Sequence, residues 1–435
     1  MKIGIIGNMN NGNFALMRYL RDLGCDAYLL KYKDEGIGDS KHFDVSADTW
    51  DLEKWNKYIM ETNFYNDPIS LYKFPISFIL FLRSIVRKLF DNKKIITYPL
   101  SDNEINNTIS DFSFLVGNGI SPAILNRVNC KLNVFIPYSI GLEWLGSPLL
   151  LKKKNSTNPI IRFFLNSIIK KQTKGVKQTD IVFDPGFGNI GDKVFERIKI
   201  KPYKIIHPQI YNLGKVPKKI NGKIYNKILK KINSSDFTIL SHVRHLWVNK
   251  NKVSIDEWKN EDKNNDWIIN EFSNFLKKSN KKNPLLILFN YGEDVKSSKK
   301  LIDELGISNN VIWLPLMERK YITWIISLVD VGVGEFYQVP NMYFGSTGSE
   351  ILAAGKPLIH GFDFTDAEFK NQFNMNPPPV LAVQKSQDIY THLINLSNNL
   401  IQMKKIGVDS KKWFDKNSGI GLSKKYLDIF KKINK

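Results

Sequence analysis

Residues 344–361, FGSTGSEILAAGKPLIHG, combine small hydroxyl residues, glycines and a single acid in a pattern that could bind an anion. The run from Gly345 to Gly348 predicts a turn that leads into a short helix, where unpaired backbone N–H groups attract phosphate. Glu350, in the first turn of that helix, could accept hydrogen bonds from paired hydroxyls such as those of a ribose. Alternatively, Glu350 only favours the helix N-terminus electrostatically. This segment alone leaves both interpretations open.

Two cations lie near the ends of predicted elements earlier in the chain. Arg244 follows the apolar run FTIL within SHVRHLW, and Lys263 precedes the helical pattern of NNDWIINEF. Because strand ends and helix starts meet at one edge of a parallel sheet, these cations can converge on a diphosphate. Lys250 and Lys252, which lie between them, are better explained as part of a basic loop without a ligand.

The elements around these residues predict an α/β protein with two Rossmann-like, doubly wound domains that face each other across a cleft. In residues 1–205, the runs KIGII, DAYLL, FSFLVG, LNVFIP and DIVFDPG alternate with helical or loop segments, as in a parallel sheet. Residues 206–235 are rich in Lys, Pro and Gly and predict a linker. The same alternation restarts over residues 236–410. Residues 411–435 predict an amphipathic helix that packs back on the N-terminal domain.

The composition of the 435 residues limits the classes of molecule that the protein could bind. Lys and Arg number 63 against 42 Asp and Glu, a net charge of +21 that favours nucleic acid, anionic lipid or phosphate-bearing substrates.

Cys25 and Cys130 each precede an apolar run, which predicts buried thiols, excludes a disulfide framework and fits a reducing cytoplasm. The N-terminus lacks the apolar core of a signal peptide, and no apolar run approaches the roughly 20 residues that span a bilayer. We therefore expect a soluble or peripheral protein.

Two segments of the first half combine large apolar residues with cations. In PISFILFLRSIVRKLF, residues Phe78, Leu82 and Leu89 recur at helical spacing together with Phe81 and Ile85, and basic residues lie between them. A similar mixture occurs in IIRFFLNSIIKK. One interpretation is a core-facing helix with a solvated basic face. The other is a helix that lies on an anionic bilayer.

From about Phe237 onward the sequence resembles the donor domain of GT-B glycosyltransferases, in particular the large retaining class called family four. That class has a strand ending in Gly-Arg, then Lys-Gly-x-Asp-x-Leu-Ile-x-Ala-Phe, and later Glu-Gly-Phe-Gly and Leu-Glu-Ala-x-Ala-x-Gly-x-Pro-Val-Ile. KNNDWIINEF matches the first pattern at Lys263, Asp266, Ile269 and Phe272. YFGSTGSEILAAGKPLI matches the later patterns at Phe344, Gly345, Glu350, Ala353, Gly355 and Pro357. In the first half the resemblance is one of architecture only.

The resemblance implies roles for these residues at a nucleotide-sugar donor. Arg244 and Lys263 would bind the donor pyrophosphate and neutralise the charge that grows on the leaving nucleoside diphosphate. Glu350 would hold the ribose. Backbone donors to the phosphates or the sugar would come from Gly345, Ser346 and Thr347.

The sequence departs from the family pattern at the residue that contacts the transferred sugar. Members of the family usually carry a second Glu eight positions before the ribose Glu, and here that position is Met342. Glu335, at the end of VDVGVGE, is the nearest acid that could replace it. The alternative is that Glu335 is a surface acid at a strand end.

The first domain supplies further candidates. Gly12 and Asn13 lie in GNMNNGNF, where enzymes of this type place a glycine-containing loop against the donor phosphates, although such a run is often only a tight turn. Glu143, in IPYSIGLEWLG, could orient an acceptor hydroxyl or act as a base.

The residues and the resemblance together predict a glycosyltransferase that moves a sugar from a nucleotide-diphosphate donor to a hydroxyl of a glycan or lipid-linked acceptor, in the cytoplasm or at the inner face of the membrane. The resemblance implies a retaining reaction and a role in bacterial surface polysaccharide synthesis. No Asp-x-Asp follows a predicted strand and the six histidines show no ligand spacing, so we expect no metal and no cofactor. A nucleotide-sugar epimerase of the same fold is the alternative. Nucleic-acid binding is a remote one, because the basic residues are spread without a recognisable binding module.

Overall fold

The computed structural model describes residues 1–37, 43–138, 144–146, 158–186, 188–208, 210–211, 216–248, 263–336, 343 and 345–434. The chain divides into two compact units. Unit 1 comprises Met1–Tyr211 together with Ile420–Lys435, and unit 2 comprises Asn212–Gly419. The division after Tyr211 falls within the residues predicted as a linker, 206–235.

Unit 1 is built on a parallel sheet of seven strands within the described residues, in the order β3-β2-β1-β4-β5-β6-β7. The central strands are nearly continuous apolar runs, as expected for strands that are covered on both faces. The strands are β1 (Lys2–Ile6), β2 (Asp26–Lys31), β3 (Ile59–Glu61), β4 (Phe114–Gly117), β5 (Val134–Phe135), β6 (Ile181–Asp184) and β7 (Tyr203–Lys204).

The helices of unit 1 that precede unit 2 in the chain connect these strands. They are α1 (Gly12–Asp22), α2 (Glu53–Asn56), α3 (Ile76–Phe90), α4 (Asp102–Ile109), α5 (Ser121–Asn126), α6 (Pro159–Gln178) and α7 (Gly188–Ile198). Helix α4 begins with a complete capping box, in which Ser101 and Glu104 each accept a hydrogen bond from the backbone N–H of the other. Short 3-10 turns lie at Met9–Asn11, Val45–Ala47 and Pro68–Leu71.

Unit 2 has a second parallel sheet, of six strands in its described part, in the order β10-β9-β8-β11-β12-β13. Counted from its own first strand, this is again the Rossmann order 3-2-1-4-5-6. The strands are β8 (Phe237–Leu240), β9 (Pro284–Phe289), β10 (Val311–Leu314), β11 (Val331–Val333), β12 (Leu358–Gly361) and β13 (Val380–Val383). The central neighbours are β8 and β11, which pair in parallel with Leu240 opposite Gly332.

The helices of unit 2 begin inside the predicted linker. They are α8 (Lys223–Asn233), α9 (Asn265–Lys278), α10 (Val295–Glu304), α11 (Arg319–Leu328), α12 (Ser346–Ala353), α13 (Asp366–Phe373), α14 (Ser386–Asn398) and α15 (Leu400–Asn417). Helix α8 is rich in lysine, yet Ile228 and Ile232 are buried, so a segment with a linker-like composition forms an amphipathic helix.

The predicted C-terminal helix, 411–435, is two helices in the structure. Helix α15 ends at Asn417 in unit 2, and α16 (Ile420–Ile433) belongs to unit 1. Tyr426 and Phe430 of α16 are fully buried there: the Tyr426 hydroxyl donates to the Ile206 carbonyl at 3.0 Å, and the ring of Phe430 lies 4.9 Å from that of Phe114. Helix α16 therefore completes the core of unit 1.

The structure differs from several sequence-based expectations about which side chains are buried. The core-facing interpretation of α3 is wrong for Phe78, Leu82 and Leu89, whose side chains are exposed. Cys25 and Cys130 are free thiols that are only partly buried. Among the described helices, none combines the length and the apolar character required to span a bilayer.

Candidate functional site

The candidate site of unit 2 lies at the edge where its two central strands end. The chain leaves β8 at Leu240 and β11 at Val333, and these strands are neighbours. From β8 the sheet continues outward through β9, and from β11 it continues the opposite way through β12. Such a reversal leaves a crevice beyond the strand ends, which is where open parallel sheets bind ligands.

Glu350 is buried and hydrogen-bonded on both carboxylate oxygens. His242, which follows β8, lies with Nε2 2.6 Å from Oε2, and Nε of Arg319 at the start of α11 donates to Oε1 at 2.8 Å. Burial alone would raise the pKa of Glu350, but the hydrogen bond from His242 and the charge of Arg319 outweigh it, so its pKa lies below the usual value. An ionised carboxylate only accepts hydrogen bonds, so His242 donates from Nε2.

The position of Glu350 differs from the expectation in one respect. Helix α12 already begins at Ser346, with Gly345 as its N-cap, so Glu350 is the fifth helical residue rather than part of the first turn. It is therefore held by two specific side chains and not only by the helix dipole. Its contact with a ribose stays a prediction.

Lys263 and Glu335 form an ion pair at this edge, which brings together two of the predicted site residues. Nζ of Lys263 lies 3.0 Å from Oε2 of Glu335, and both side chains are largely shielded from solvent. The backbone N–H of Glu335 donates to Nδ1 of His360 at 2.9 Å. Burial lowers the pKa of His360 to about 4, so its imidazole is neutral near pH 7 and can accept this hydrogen bond. Gly334 permits this arrangement, because a Cβ there would lie 2.0 Å from Nδ1 of His360.

Arg244 and the start of α12 offer hydrogen-bond donors that the described residues leave unused. The Arg244 side chain is exposed and makes no hydrogen bond or ion pair within the described ranges. The first helical hydrogen bond of α12 runs from Ser349 to Gly345, which leaves the N–H groups of Ser346, Thr347 and Gly348 without a partner in the described part of the chain. A guanidinium and a helix start are suited to an anion such as phosphate.

The strand-end segment that carries Arg244 is fixed to neighbouring elements. His245 and Trp247 both hydrogen-bond to the Ser298 hydroxyl of α10, each at 2.8 Å, and Asp294 accepts from the backbone N–H of Trp247 at 2.7 Å. Burial lowers the pKa of His245 to about 4. The N–H of Lys263 donates to the Leu246 carbonyl at 2.7 Å, so this backbone lies beside the same segment.

The candidates of the first half lie in unit 1 or outside the described residues. Gly12 begins α1, and a Cβ there would lie 2.8 Å from Nε2 of His207. The buried Asn13 amide donates to the Gly7 carbonyl at 2.8 Å, which stabilises the turn after β1. Its Oδ1 atom has no partner among the described residues. Their role at a donor stays a prediction. Glu143 and Met342 lie outside the described residues.

Three residues that sequence reasoning missed contribute to the site, namely His242, Arg319 and His360. His242 stands two positions before Arg244 in the quoted SHVRHLW, so its proximity to the strand end was visible in the sequence. Arg319 carried no such indication. His360 lies within residues 344–361, but its contact with Glu335 arises only through the fold. Within the described ranges, no group of three His, Cys, Asp or Glu residues is arranged to hold a metal ion.

Solved structures with the same fold are GT-B glycosyltransferases. HepE from Anabaena, in complex with UDP and glucose, superimposes with a TM-score of 0.58 at 12% identity, covering 99% of this chain and 100% of HepE. TarM from S. aureus, solved with UDP among its ligands, superimposes with a TM-score of 0.53 at 11% identity, covering 99% of this chain and 100% of TarM. WaaG, a glycosyltransferase involved in lipopolysaccharide biosynthesis, superimposes with a TM-score of 0.50 at 12% identity, covering 98% of this chain and 99% of WaaG. No protein-family model matches the sequence, and a search of curated proteins finds no match.

The fold is therefore of the GT-B type, with two Rossmann-like α/β units. The predicted fold class and the resemblance to GT-B proteins are confirmed. The cleft between the domains stays a prediction.

Proposed function

We propose that the protein is a glycosyltransferase that uses a nucleotide-diphosphate sugar and transfers the sugar to a hydroxyl of a glycan or lipid-linked acceptor. The observation that carries the proposal is that one sheet edge holds Arg244, a cation with no partner among the described residues, the ion-paired Lys263, and the buried carboxylate of Glu350. A nucleoside diphosphate presents matching groups: a diphosphate for the cations and the helix start, and vicinal hydroxyls for the carboxylate.

Cations suit this reaction because charge grows on the leaving group. As the bond from the sugar C1 to the diphosphate oxygen breaks, the nucleoside diphosphate gains negative charge, and a bond forms from C1 to the acceptor oxygen. In the retaining reaction that we propose, the acceptor proton passes to the leaving phosphate. Arg244 and Lys263 would stabilise that charge electrostatically, without a metal ion or cofactor. Glu335 would orient Lys263 through their 3.0 Å contact.

His242 and Arg319 would keep Glu350 ready to accept ribose hydroxyls. Each oxygen of a carboxylate has two lone pairs, and in Glu350 one lone pair on each oxygen is already used. The remaining lone pairs can accept from the 2′ and 3′ hydroxyls. Because its partners lower its pKa, Glu350 stays ionised at neutral pH, and hydrogen bonds to a charged acceptor are stronger than neutral ones.

Similar structures support the choice of donor and acceptor. HepE and TarM were solved with UDP, and HepE also with UDP-glucose, so a UDP-sugar is the first donor to test. WaaG acts in lipopolysaccharide biosynthesis, which supports a role in a bacterial surface polysaccharide. The proposal includes a cytoplasmic location, supported by two free thiols. In unit 1 we retain Gly12 and Asn13 as donor contacts and Glu143 as the residue that orients or deprotonates the acceptor.

The test is nucleotide binding by the folded protein. Thermal-shift and calorimetric titrations with UDP, GDP, CMP and their sugars should identify one base whose diphosphate raises the melting temperature. Arg244→Ala and Lys263→Ala should each weaken its binding about 10- to 100-fold, the effect of losing a hydrogen bond to a charged group. Lys300→Ala, at an exposed position of α10, is the matched control and should bind like wild type. Unchanged binding in both site variants would refute the assignment.

Two further assays separate the alternatives. Conversion of the nucleotide sugar in the absence of any acceptor would favour an epimerase over a transferase. Salt-dependent retention of oligonucleotides with affinity above that for the nucleotide would favour nucleic-acid binding. Transfer of labelled sugar only when an acceptor is present is the outcome expected here.

A further inference from the structure

Helix α3 of unit 1 buries polar side chains and exposes apolar ones. Its buried side chains are those of Ser77 and Ser84, and the Ser84 hydroxyl donates to the Phe81 carbonyl at 2.8 Å and accepts from the Thr97 N–H at 3.1 Å. Its exposed apolar residues, which we call the α3 stripe, are Phe78, Ile79, Leu82, Val86, Leu89 and Phe90. A helix whose outer face meets only water has the opposite arrangement.

The α3 stripe is continuous along the helix. At about 3.6 residues per turn, its members occupy roughly 120° of the helix circumference over the whole length of α3. Leu89 is 78% exposed and Phe90 is 89% exposed. Phe74, which precedes the helix, is 78% exposed and its ring lies 6.2 Å from that of Phe78. A contiguous exposed apolar surface along a helix is typical of an interaction site.

Basic residues border the α3 stripe. Arg83 and Arg87 follow one edge of it at helical spacing, are exposed, and form no ion pair with the described residues. Helix α3 contains no acidic residue. Apolar side chains flanked by arginine are suited to the boundary between acyl chains and anionic headgroups. The chain's net charge of +21 adds a long-range attraction to such a surface.

A second exposed apolar segment lies at the start of α6, which shares a contact with α3. At the start of α6, Ile161 and Phe163 are exposed, and Arg162 lies between them. Helices α3 and α6 both contact the 3-10 turn Pro68–Leu71. The ring of Phe164 also lies 6.3 Å from that of Tyr72, directly after this turn. Helices α3 and α6 therefore pack against the same short segment of unit 1.

We infer that the α3 stripe, extended by the start of α6, docks unit 1 on an anionic lipid bilayer. Helix α3 lies in the plane of the interface with its stripe among the acyl chains, and its arginines contact lipid phosphates. This inference goes beyond sugar transfer and does not depend on it, because no residue of the donor site in unit 2 takes part.

Vesicle flotation with the full-length protein tests this inference. Vesicles of equal parts phosphatidylglycerol and phosphatidylcholine should carry the protein upward, and pure phosphatidylcholine vesicles should carry far less. The double variant Leu89→Asp and Phe90→Asp should lower the partition coefficient at least about tenfold, since it removes two large apolar side chains from the contact. Arg83→Glu with Arg87→Glu should weaken the preference for phosphatidylglycerol, while the remaining positive charge of the chain keeps part of it. The control, Ile401→Asp, changes an 85% exposed residue of α15 in unit 2 and should float like wild type.

Each contrary outcome has a distinct meaning. The inference is overturned if wild type stays at the bottom with both vesicles, or if Ile401→Asp loses as much binding as the stripe variant. Concentration-dependent dimerisation that the stripe variant abolishes would show instead that a second copy covers α3. Arg244→Ala should still float, and the stripe variant should still bind nucleotide, so failure of one proposal is distinguishable from failure of the other.

Discussion

Replacing Arg319 with methionine removes one of the two partners that keep the buried Glu350 carboxylate ionised. Both side chains are well shielded, with 15% of Arg319 and 6% of Glu350 exposed. Removing one member of a buried pair costs about 3–5 kcal/mol when the other charge is left alone. Here His242 still donates at 2.6 Å. We therefore expect the free energy of unfolding at pH 7 to fall by about 2–3 kcal/mol, close to the effect of losing a hydrogen bond to a charged group.

The pH dependence of this loss gives a second measurement. In wild type the pKa of Glu350 lies below its usual value, so Glu350 contributes stability that is present above the unfolded-state pKa and is lost as the pH falls through the folded-state pKa. Without Arg319 the folded-state pKa of Glu350 rises, and protonation of Glu350 removes the buried charge that Arg319 no longer balances. The difference between the variant and wild type should therefore be largest near neutral pH and should shrink as the pH approaches about 4.

Urea denaturation followed by circular dichroism at several pH values measures both effects. Lys300→Met is the control, because its ion pair with Glu304 is exposed and should contribute less than about 0.5 kcal/mol. A double-mutant cycle with Glu350→Gln then isolates the pairwise coupling between Arg319 and Glu350. The reasoning is refuted if Arg319→Met costs no more than the control, or if its cost is the same at every pH.

Further predictions concern packing and acid stability. Gly334→Ala should lower the urea midpoint by an amount equivalent to about 1–3 kcal/mol, because the new Cβ would lie 2.0 Å from Nδ1 of His360. Gly345→Ala should lower the midpoint less, since no described atom lies within 4 Å of its Cβ and only the N-cap preference for glycine over alanine is lost. Equal losses in the two variants would contradict this packing. The free energy of unfolding should also decrease as the pH falls from about 6.5 toward 4. The expected decrease is about 1.4 kcal/mol per pH unit for each histidine whose pKa is lowered by burial. Burial lowers the pKa of His207 to about 3 and the pKa of both His245 and His360 to about 4. Denaturation midpoints that do not change between pH 7 and 5 would rule this out.

The architecture could be predicted from the sequence because strands covered on both faces are continuous apolar runs. PLLILF, for example, forms β9 with every residue buried, as its continuous apolar run favours. Domain limits were less predictable. A helix such as α8 needs only a narrow apolar stripe, so its buried Ile228 and Ile232 were outweighed by the surrounding lysines.

The candidate site could be predicted as a set of residues but not as a set of contacts. Lys263 was indicated by its position before a helix and Glu335 by its position after a strand, and the structure pairs them. The partners of Glu350 could not be inferred, because His242 is 108 positions away and Arg319 is 31 positions away. Only the parallel order of the strands places such distant positions at one edge. The binding roles of these residues stay predictions.

The return of α16 to unit 1 has a consequence for how the protein is made. Unit 2 is one continuous stretch, but unit 1 lacks Tyr426 and Phe430 from its core until the ribosome has synthesised the whole of unit 2. At ~5–20 residues per second, roughly 10–45 s separate the synthesis of Tyr211 from that of Phe430. During that time the surface of unit 1 that Tyr426 and Phe430 cover stays exposed on the nascent chain. The chain of unit 2 is therefore complete before unit 1 can complete its core.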